Sequence, residues 1–191
     1  MYSLSTRFNI ILYNMMAGMV LMGALNYFHG YYGSHIIKDT QFEMTNMNMF
    51  INDRYYDEHV SEFQFDLKAD LSGLFNWNTN VIFLSVICEF EYEEGKRNQI
   101  VVWDQRIMRE MTQFYKLDLQ DEWIEYYFTD IHKSLKGKNV KVYLRWEQMT
   151  TIGPYYMGTH DIGSFVMPSQ FKNENKKRAY KPGPSDRVEN Y

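Results

Sequence analysis

The sequence predicts an all-β domain, antiparallel and sandwich-like, preceded by a single transmembrane α-helix. Three observations carry this reading. Residues 8–28 (FNIILYNMMAGMVLMGALNYF) contain no Asp, Glu, Lys or Arg, and none follows until Lys38. Downstream, several short segments alternate apolar and polar residues between turn-forming stretches, the pattern of half-buried strands in a sandwich or barrel. Aromatic residues make up 17% of the chain, with 16 Tyr, 13 Phe and 4 Trp, and these side chains favour strands.

The apolar stretch comes first. Its 21 residues form a helix of roughly 31 Å, about the thickness of the hydrocarbon layer of a bilayer. A core helix of a soluble domain is shorter and carries charge on one face. A cleaved signal peptide needs small residues at positions −3 and −1 of the cut. Ala24 fits −1, but Met22 then occupies −3, and Leu21 spoils a cut after Gly23 in the same way. The stretch therefore reads as an uncleaved anchor. Arg7 and the α-amino group flank its short N-terminal side, so the positive-inside rule places the N-terminus in the cytosol and the domain on the opposite side. Tyr27, Tyr31 and Tyr32 suit an interfacial belt at the exit. Asn14, Ala17, Gly18 and Ala24 share one helix face. Small residues let a second helix approach, and an amide in lipid seeks a partner. This face is a candidate contact with another membrane subunit; an anchor rich in Gly and Ala also carries such a cluster by chance.

The strands follow in order. Residues 41–50 alternate loosely and read as a first strand, and the charged residues 52–62 as a loop or short turn. Phe63, Phe65, Leu67, Ala69 and Leu71 alternate with Gln64, Asp66, Lys68 and Asp70, the clearest period of two in the chain. Leu74, Phe75 and Trp77 read as a hydrophobic turn tucked under the core, with Asn76, Asn78 and Asn80 supplying turn chemistry. Residues 81–92 are almost continuously apolar before they alternate, as in a strand buried on both faces. The polar, Gly-containing residues 93–98 then signal a hairpin into a strand over 99–108. Residues 109–130 are mixed, with a strand candidate at 123–128. Val140, Val142, Leu144 and Trp146 mark another strand over 139–148, Gly153-Pro154 a turn, and 162–166 a last strand. The expected organisation is a short cytosolic N-terminus (1–7), an anchor (8–28), a β-sandwich domain (29–171) and a flexible basic tail (172–191) with Lys176, Lys177, Arg178, Pro182 and Pro184.

Composition and motifs narrow the chemistry. The net charge is −4 and the pI near 5.7, which argues against nucleic-acid binding. The single cysteine, Cys88, forms no internal disulfide and sits in an apolar strand, as a small hydrophobe does. His29, His35, His59, His132 and His160 show no HxH or HxxxH pair, so no metal site is expected. His160, Asp161 and Ser164 lie close in sequence. Neighbours on a strand point to opposite faces, however, which argues against a catalytic triad there. Asp66 and Asp70 share a strand face and are explained more simply as a solvated surface than as an acid–base pair. The four tryptophans, Trp77, Trp103, Trp123 and Trp146, read as packing rather than a ligand platform.

Two blocks of sequence resemble the signal peptidase complex subunit 3 family. The family pattern F-D-x-x-A-D-L-x-x-x-F-x-W-N falls on Phe65, Asp66, Ala69, Asp70, Leu71, Phe75, Trp77 and Asn78. Its N-Q-V-V-x-W-D falls on Asn98, Gln99, Ile100, Val101, Trp103 and Asp104. A third, looser block starts at Asn139. There many animal members carry an Asn-x-Thr sequon, but Lys141 stands in place of the Thr and no N-x-[ST] occurs in the chain, so N-glycosylation is not expected. The resemblance implies a single-pass type II protein of the endoplasmic reticulum membrane with a lumenal C-terminal domain. It implies a non-catalytic accessory subunit that stabilises and positions the catalytic subunit during removal of signal peptides. Its neighbours would be the catalytic and other subunits, membrane lipid and the translocon, with no nucleic acid and no cofactor. The motif residues would be structural or at interfaces. The competing reading is a membrane-anchored lumenal module that binds nascent or unfolded chains.

Overall fold

In a computed structural model, residues 3–32 and 36–173 are described. The expected tail lies outside them from residue 174 onward, as do the side chains of Tyr31 and Tyr32. Helix α1 spans Leu4–Tyr32 and extends beyond the apolar run at both ends. Ser3 starts it: the Ser3 hydroxyl accepts the Thr6 N–H at 3.3 Å, and the Ser3 carbonyl accepts the Arg7 N–H at 3.1 Å, as an N-cap does. The stretch Leu4–Phe28 is long and apolar enough to cross a membrane and is not buried against the rest of the chain.

Among the described residues nine strands follow: β1 (Lys38–Asp53), β2 (Glu58–Asp70), β3 (Thr79–Glu93), β4 (Lys96–Met108), β5 (Lys116–Trp123), β6 (Phe128–Asp130), β7 (Asn139–Thr150), β8 (Tyr156–Val166) and β9 (Lys172–Asn173). They make two antiparallel sheets in a sandwich-like arrangement, as the alternation predicts. One sheet has the order β5-β2-β1-β9, with β6 pairing the first part of β2; the other has the order β4-β3-β7-β8.

Alternation turns one face of each strand toward the other sheet, and aromatic rings fill the space between them. Phe63, Phe65, Phe90, Trp103 and Phe128 are all 2% exposed or less. Phe65 of the first sheet meets Trp103 of the second edge-on at 6.2 Å and stacks on Phe42 at 5.7 Å. Phe128 bridges Phe63 and Phe90. Full burial of a side chain of this size is worth roughly 1.5–3 kcal/mol, and such ring pairs add about 1 kcal/mol more.

Several expected boundaries shift. Within 52–62 the expected short turn is confined to 54–57, where the Asp53 carboxylate accepts the Tyr55 N–H at 2.7 Å, and the flanking residues belong to β1 and β2. Ladder pairing with the partner strand overrides the charge of this stretch. Residues 123–128 are not one strand, because 124–127 leave the first sheet between β5 and β6. The last strand of the second sheet starts at Tyr156 rather than 162, since Gly158 and Thr159 pair with Trp146 and Arg145. A short β9 then joins the first sheet.

Of the several register shifts in the two sheets, two bear on the motif residues. Between Phe65 and Leu67 the pairing gives β5 an extra residue, and Asp121 takes a φ of 50°. Between Val86 and Ile87 the extra residue falls on β4 at Val102. The second bulge lets consecutive residues Val102 and Trp103 both be buried, which strict alternation forbids.

Gly158 lies across from Trp146, and a Cβ there would stand 2.6 Å from the indole Cζ2. The ring therefore lies over bare backbone. Gly158→Ala is expected to cost about 1–3 kcal/mol through overpacking, seen as a lower melting temperature of the full chain in detergent. An unchanged melt would mean that the indole moves aside freely.

Candidate functional site

The distinctive geometry lies where the helix meets the β-domain. The residues 76–79 (NWNT) form a turn into β3. The Asn76 carboxamide oxygen accepts the N–H groups of Asn78 and Thr79 at 2.9 and 3.0 Å, a side-chain turn that needs no regular ladder. Asn78 is thereby directed inward and is 6% exposed. It grips the turn after β7. Its carbonyl accepts the Thr151 N–H at 2.8 Å, and its side-chain oxygen accepts the Ile152 N–H at 3.0 Å. Its amide nitrogen donates to the Ile152 carbonyl at 2.5 Å and to the Asn26 side-chain oxygen at 3.1 Å. Asn26, in α1, completes the ring by donating to the same Ile152 carbonyl at 2.8 Å. Gly153 leaves room for this: a Cβ there would stand 3.2 Å from the Asn26 amide nitrogen, and its φ is 108°. Two carboxamides thus tie the long apolar helix α1 to two loops of the sandwich.

The other family-motif residues have identifiable duties. Phe65 and Trp103 are the intersheet core. Asp66 serves the β5 bulge: its carboxylate accepts the Asp121 N–H at 2.7 Å, while the Gln64 amide donates to the Asp121 carbonyl at 3.2 Å. Asp70 accepts the Ser72 N–H at 2.9 Å at the start of the 3₁₀ turn Ser72–Leu74. The Ser72 hydroxyl, then its N–H, hold the Asp70 carboxyl below its ordinary range. Phe75 stacks flat on Tyr115 at 3.8 Å, and the Tyr115 hydroxyl donates to the Arg109 carbonyl at 2.7 Å. The expectation that Trp77 tucks under the core is wrong. With Asn76 and Asn78 committed to the turn, Trp77 faces outward and is 56% exposed; its carbonyl accepts from the Arg109 guanidinium at 2.8 Å.

Asp104 lies at the second bulge. The Val102 carbonyl accepts the N–H groups of Glu125 and Tyr126 at 2.8 and 3.1 Å, and the Tyr126 hydroxyl donates to the Asp104 carboxylate at 3.0 Å. Residues 124–127 therefore clasp one sheet to the other. Glu125 is exposed by surface area, but partial desolvation of its carboxyl, then the hydrogen bond to Asp104 and its charge, push that carboxyl up to about 7.

The nucleophile candidates are not assembled. His160 lies opposite Leu144 and Asp161 opposite Tyr143, so they occupy opposite faces of β8. A His160 ring nitrogen pairs with the Thr40 hydroxyl at 3.1 Å, and the Asp161 carboxylate accepts the Gly163 N–H at 3.1 Å. Burial pushes the Cys88 thiol well up, which disfavours the reactive thiolate. In the helix, Asn14 donates to the Ile10 carbonyl at 2.9 Å, and a Cβ at Gly18 would meet nothing within 4 Å. The face of Asn14, Ala17, Gly18 and Ala24 is thus open along α1. Sequence reasoning missed Asn26, Gln64, Glu125 and Ile152. Only Asn26 carried a signal, as an amide in the last turn of an apolar span.

Comparison with known proteins bears on this arrangement. The family model described as signal peptidase subunit matches residues 1–170. The chain belongs to the signal peptidase subunit family. Proteins named signal peptidase complex subunit 3 are similar to it. The Drosophila melanogaster protein is 37% identical over 90 residues, covering 47% of this chain and 49% of that one. The Debaryomyces hansenii protein is 36% identical over 107 residues, 55% of each chain. The Homo sapiens protein is 36% identical over 90 residues, 47% and 49% of the two chains. The chain spans about half the length of the curated relatives it matches. For this member of the signal peptidase subunit family, the motif residues are therefore accounted for as core, bulge, turn and junction.

Asn78→Ala removes three side-chain hydrogen bonds and should cost about 2–3 kcal/mol, measured by chemical denaturation of the full chain. Asn26→Ala leaves the bonds between Asn78 and Ile152 in place and should cost less than Asn78→Ala; the reverse order would refute the hierarchy. Glu125 gives a pH test. A carboxyl raised in the folded state holds a proton that the unfolded chain has released, so stability falls as pH rises from about 4.5 toward about 7. Glu125→Gln should abolish that slope and melt higher than wild type above pH 7, read from melting temperatures across the window.

Proposed function

We propose that this protein is a non-catalytic accessory subunit of the signal peptidase complex in the endoplasmic reticulum membrane. Its helix is a type II signal anchor, with Arg7 on the cytosolic side and the β-sandwich in the lumen. In this role it stabilises and positions the catalytic subunit while signal peptides are removed. The observation that carries the reading is the family match over residues 1–170, which takes in the helix and nearly all of the sandwich. The separation of His160 from Asp161 across β8 supports a role without a nucleophile of its own. So does the use of the motif residues Asp66, Asp70, Asn78 and Asp104 for structural hydrogen bonds. Other subunits of the complex are the expected partners, and the small-residue face of α1 offers one of them a place to pack. Membrane lipid and the translocon are the further neighbours.

The test is co-purification from solubilised endoplasmic reticulum membranes. The tagged chain should bring down a serine-type peptidase subunit; recovery without one would refute the role. Replacing Gly18 and Ala24 by Leu should lower that recovery several-fold while the sandwich still melts as in wild type. Unchanged recovery would move the contact from the helix to the β-domain.

A further inference from the structure

The junction fixes the depth of two loops. The apolar span Leu4–Phe28 is centred on Met16, and Asn26 lies ten residues further on. Ten residues of helix rise about 15 Å, half of a hydrocarbon layer about 30 Å thick. Asn26 therefore sits at the boundary between acyl chains and headgroups. Its amide is bonded directly to the Ile152 carbonyl at 2.8 Å and to Asn78 at 3.1 Å, so the loops 75–78 and 151–155 are held at that same depth.

The side chains these loops turn outward suit that layer. Trp77 is 56% exposed and Ile152 66%. Ile36, whose carbonyl oxygen lies only 2.5 Å from where a Gly73 Cβ would stand, is exposed at the same end of the sandwich. The Arg109 guanidinium, also exposed, is held against the Trp77 carbonyl at 2.8 Å. Indole rings concentrate at headgroup level, isoleucine partitions into the acyl boundary, and a guanidinium pairs with lipid phosphate. Exposed Glu110 is adjacent to Arg109 and marks the aqueous limit of the patch.

We propose that Trp77 and Ile152, with Arg109 at their edge, seat the β-domain in the lipid interface of the membrane that α1 spans. The domain is thus a second point of membrane contact rather than a body suspended on a tether. The occupant is the phospholipid layer itself, because the hydrogen bonds to Asn26 bring these side chains to its depth before any partner is considered. The inference rests on α1 spanning the bilayer.

Quenching of tryptophan emission by brominated phosphatidylcholine tests it, with the full chain reconstituted in phosphatidylcholine vesicles. Bromine placed near the headgroup should quench the wild type more than Trp77→Phe. The difference should reach up to about a quarter of the total emission, Trp77 being one of 4 tryptophans. Ile152→Trp in the Trp77→Phe background should restore the loss, and bromine near the acyl terminus should quench less than the shallow label. Equal quenching of wild type and Trp77→Phe would overturn the proposal. Met16→Trp, in the same Trp77→Phe background, separates the two readings: deep bromine must quench it if α1 spans. Failure there overturns the spanning helix, and the proposed seat with it. Quenching there without a Trp77 signal overturns the seat alone.

Discussion

The layer of aromatic rings between the two sheets is the constraint on which the rest of this structure depends. Phe63, Phe65 and Phe128 come from one sheet, and Phe90 and Trp103 from the other. None of these rings is buried by its own sheet. Each strand must therefore present its apolar residues on a single face, and a slip of one residue would turn the whole set into solvent. The rings also keep the sheets apart by a side chain's length, so the polar backbone at every irregularity must be satisfied locally rather than across the core.

That requirement explains where the polar residues of the two motif blocks are spent. The bulge at Asp121 frees an N–H and a carbonyl, and Asp66 and Gln64 of the neighbouring strand meet both. The bulge at Val102 frees a carbonyl, and two N–H groups of the link 124–127 meet it. The turn at 76–79 frees the end of β3, and Asn76 and Asn78 close it. The two aspartates Asp66 and Asp70, on the solvated side of their strand, are thus committed to backbone N–H groups at a bulge and a turn. Leaving such a group buried and unmet costs about 1–3 kcal/mol, comparable to deleting a core methyl group or more.

The parts legible in the sequence were those governed by short-range periodicity. Phe63 to Leu71 announces its strand because each apolar residue is two positions from the next, and the helix announces itself by the missing charge before Lys38. The illegible parts depend on partners far along the chain. Asn26 meets Asn78 52 positions away, and Asp104 meets Tyr126 22 positions away. No local pattern encodes either. The charged stretch 52–62 hid the strand ends on either side of its turn for the related reason that pairing with a neighbouring strand outweighs local polarity. Trp77 misled because its neighbours Asn76 and Asn78 both turn inward, which leaves the largest side chain of the motif outside.

The junction has a consequence for how such a subunit can act. A helix joined to its domain by a loose linker transmits nothing but proximity. Here α1 is tied by carboxamides at Asn26 to two loops that also close the end of the sandwich. Tilting or rotating the helix must then move the domain or break hydrogen bonds worth about 1 kcal/mol each. With α1 spanning the bilayer as proposed, loosening the tie would also expose the Asn26 amide at the edge of the hydrocarbon layer, where an unmet polar group is more costly than in water. Both effects favour the helix and the sandwich moving as one body. On the proposed role, a subunit with no nucleophile of its own influences cleavage by where it holds its surfaces, and a rigid junction at the membrane boundary gives that placement its accuracy.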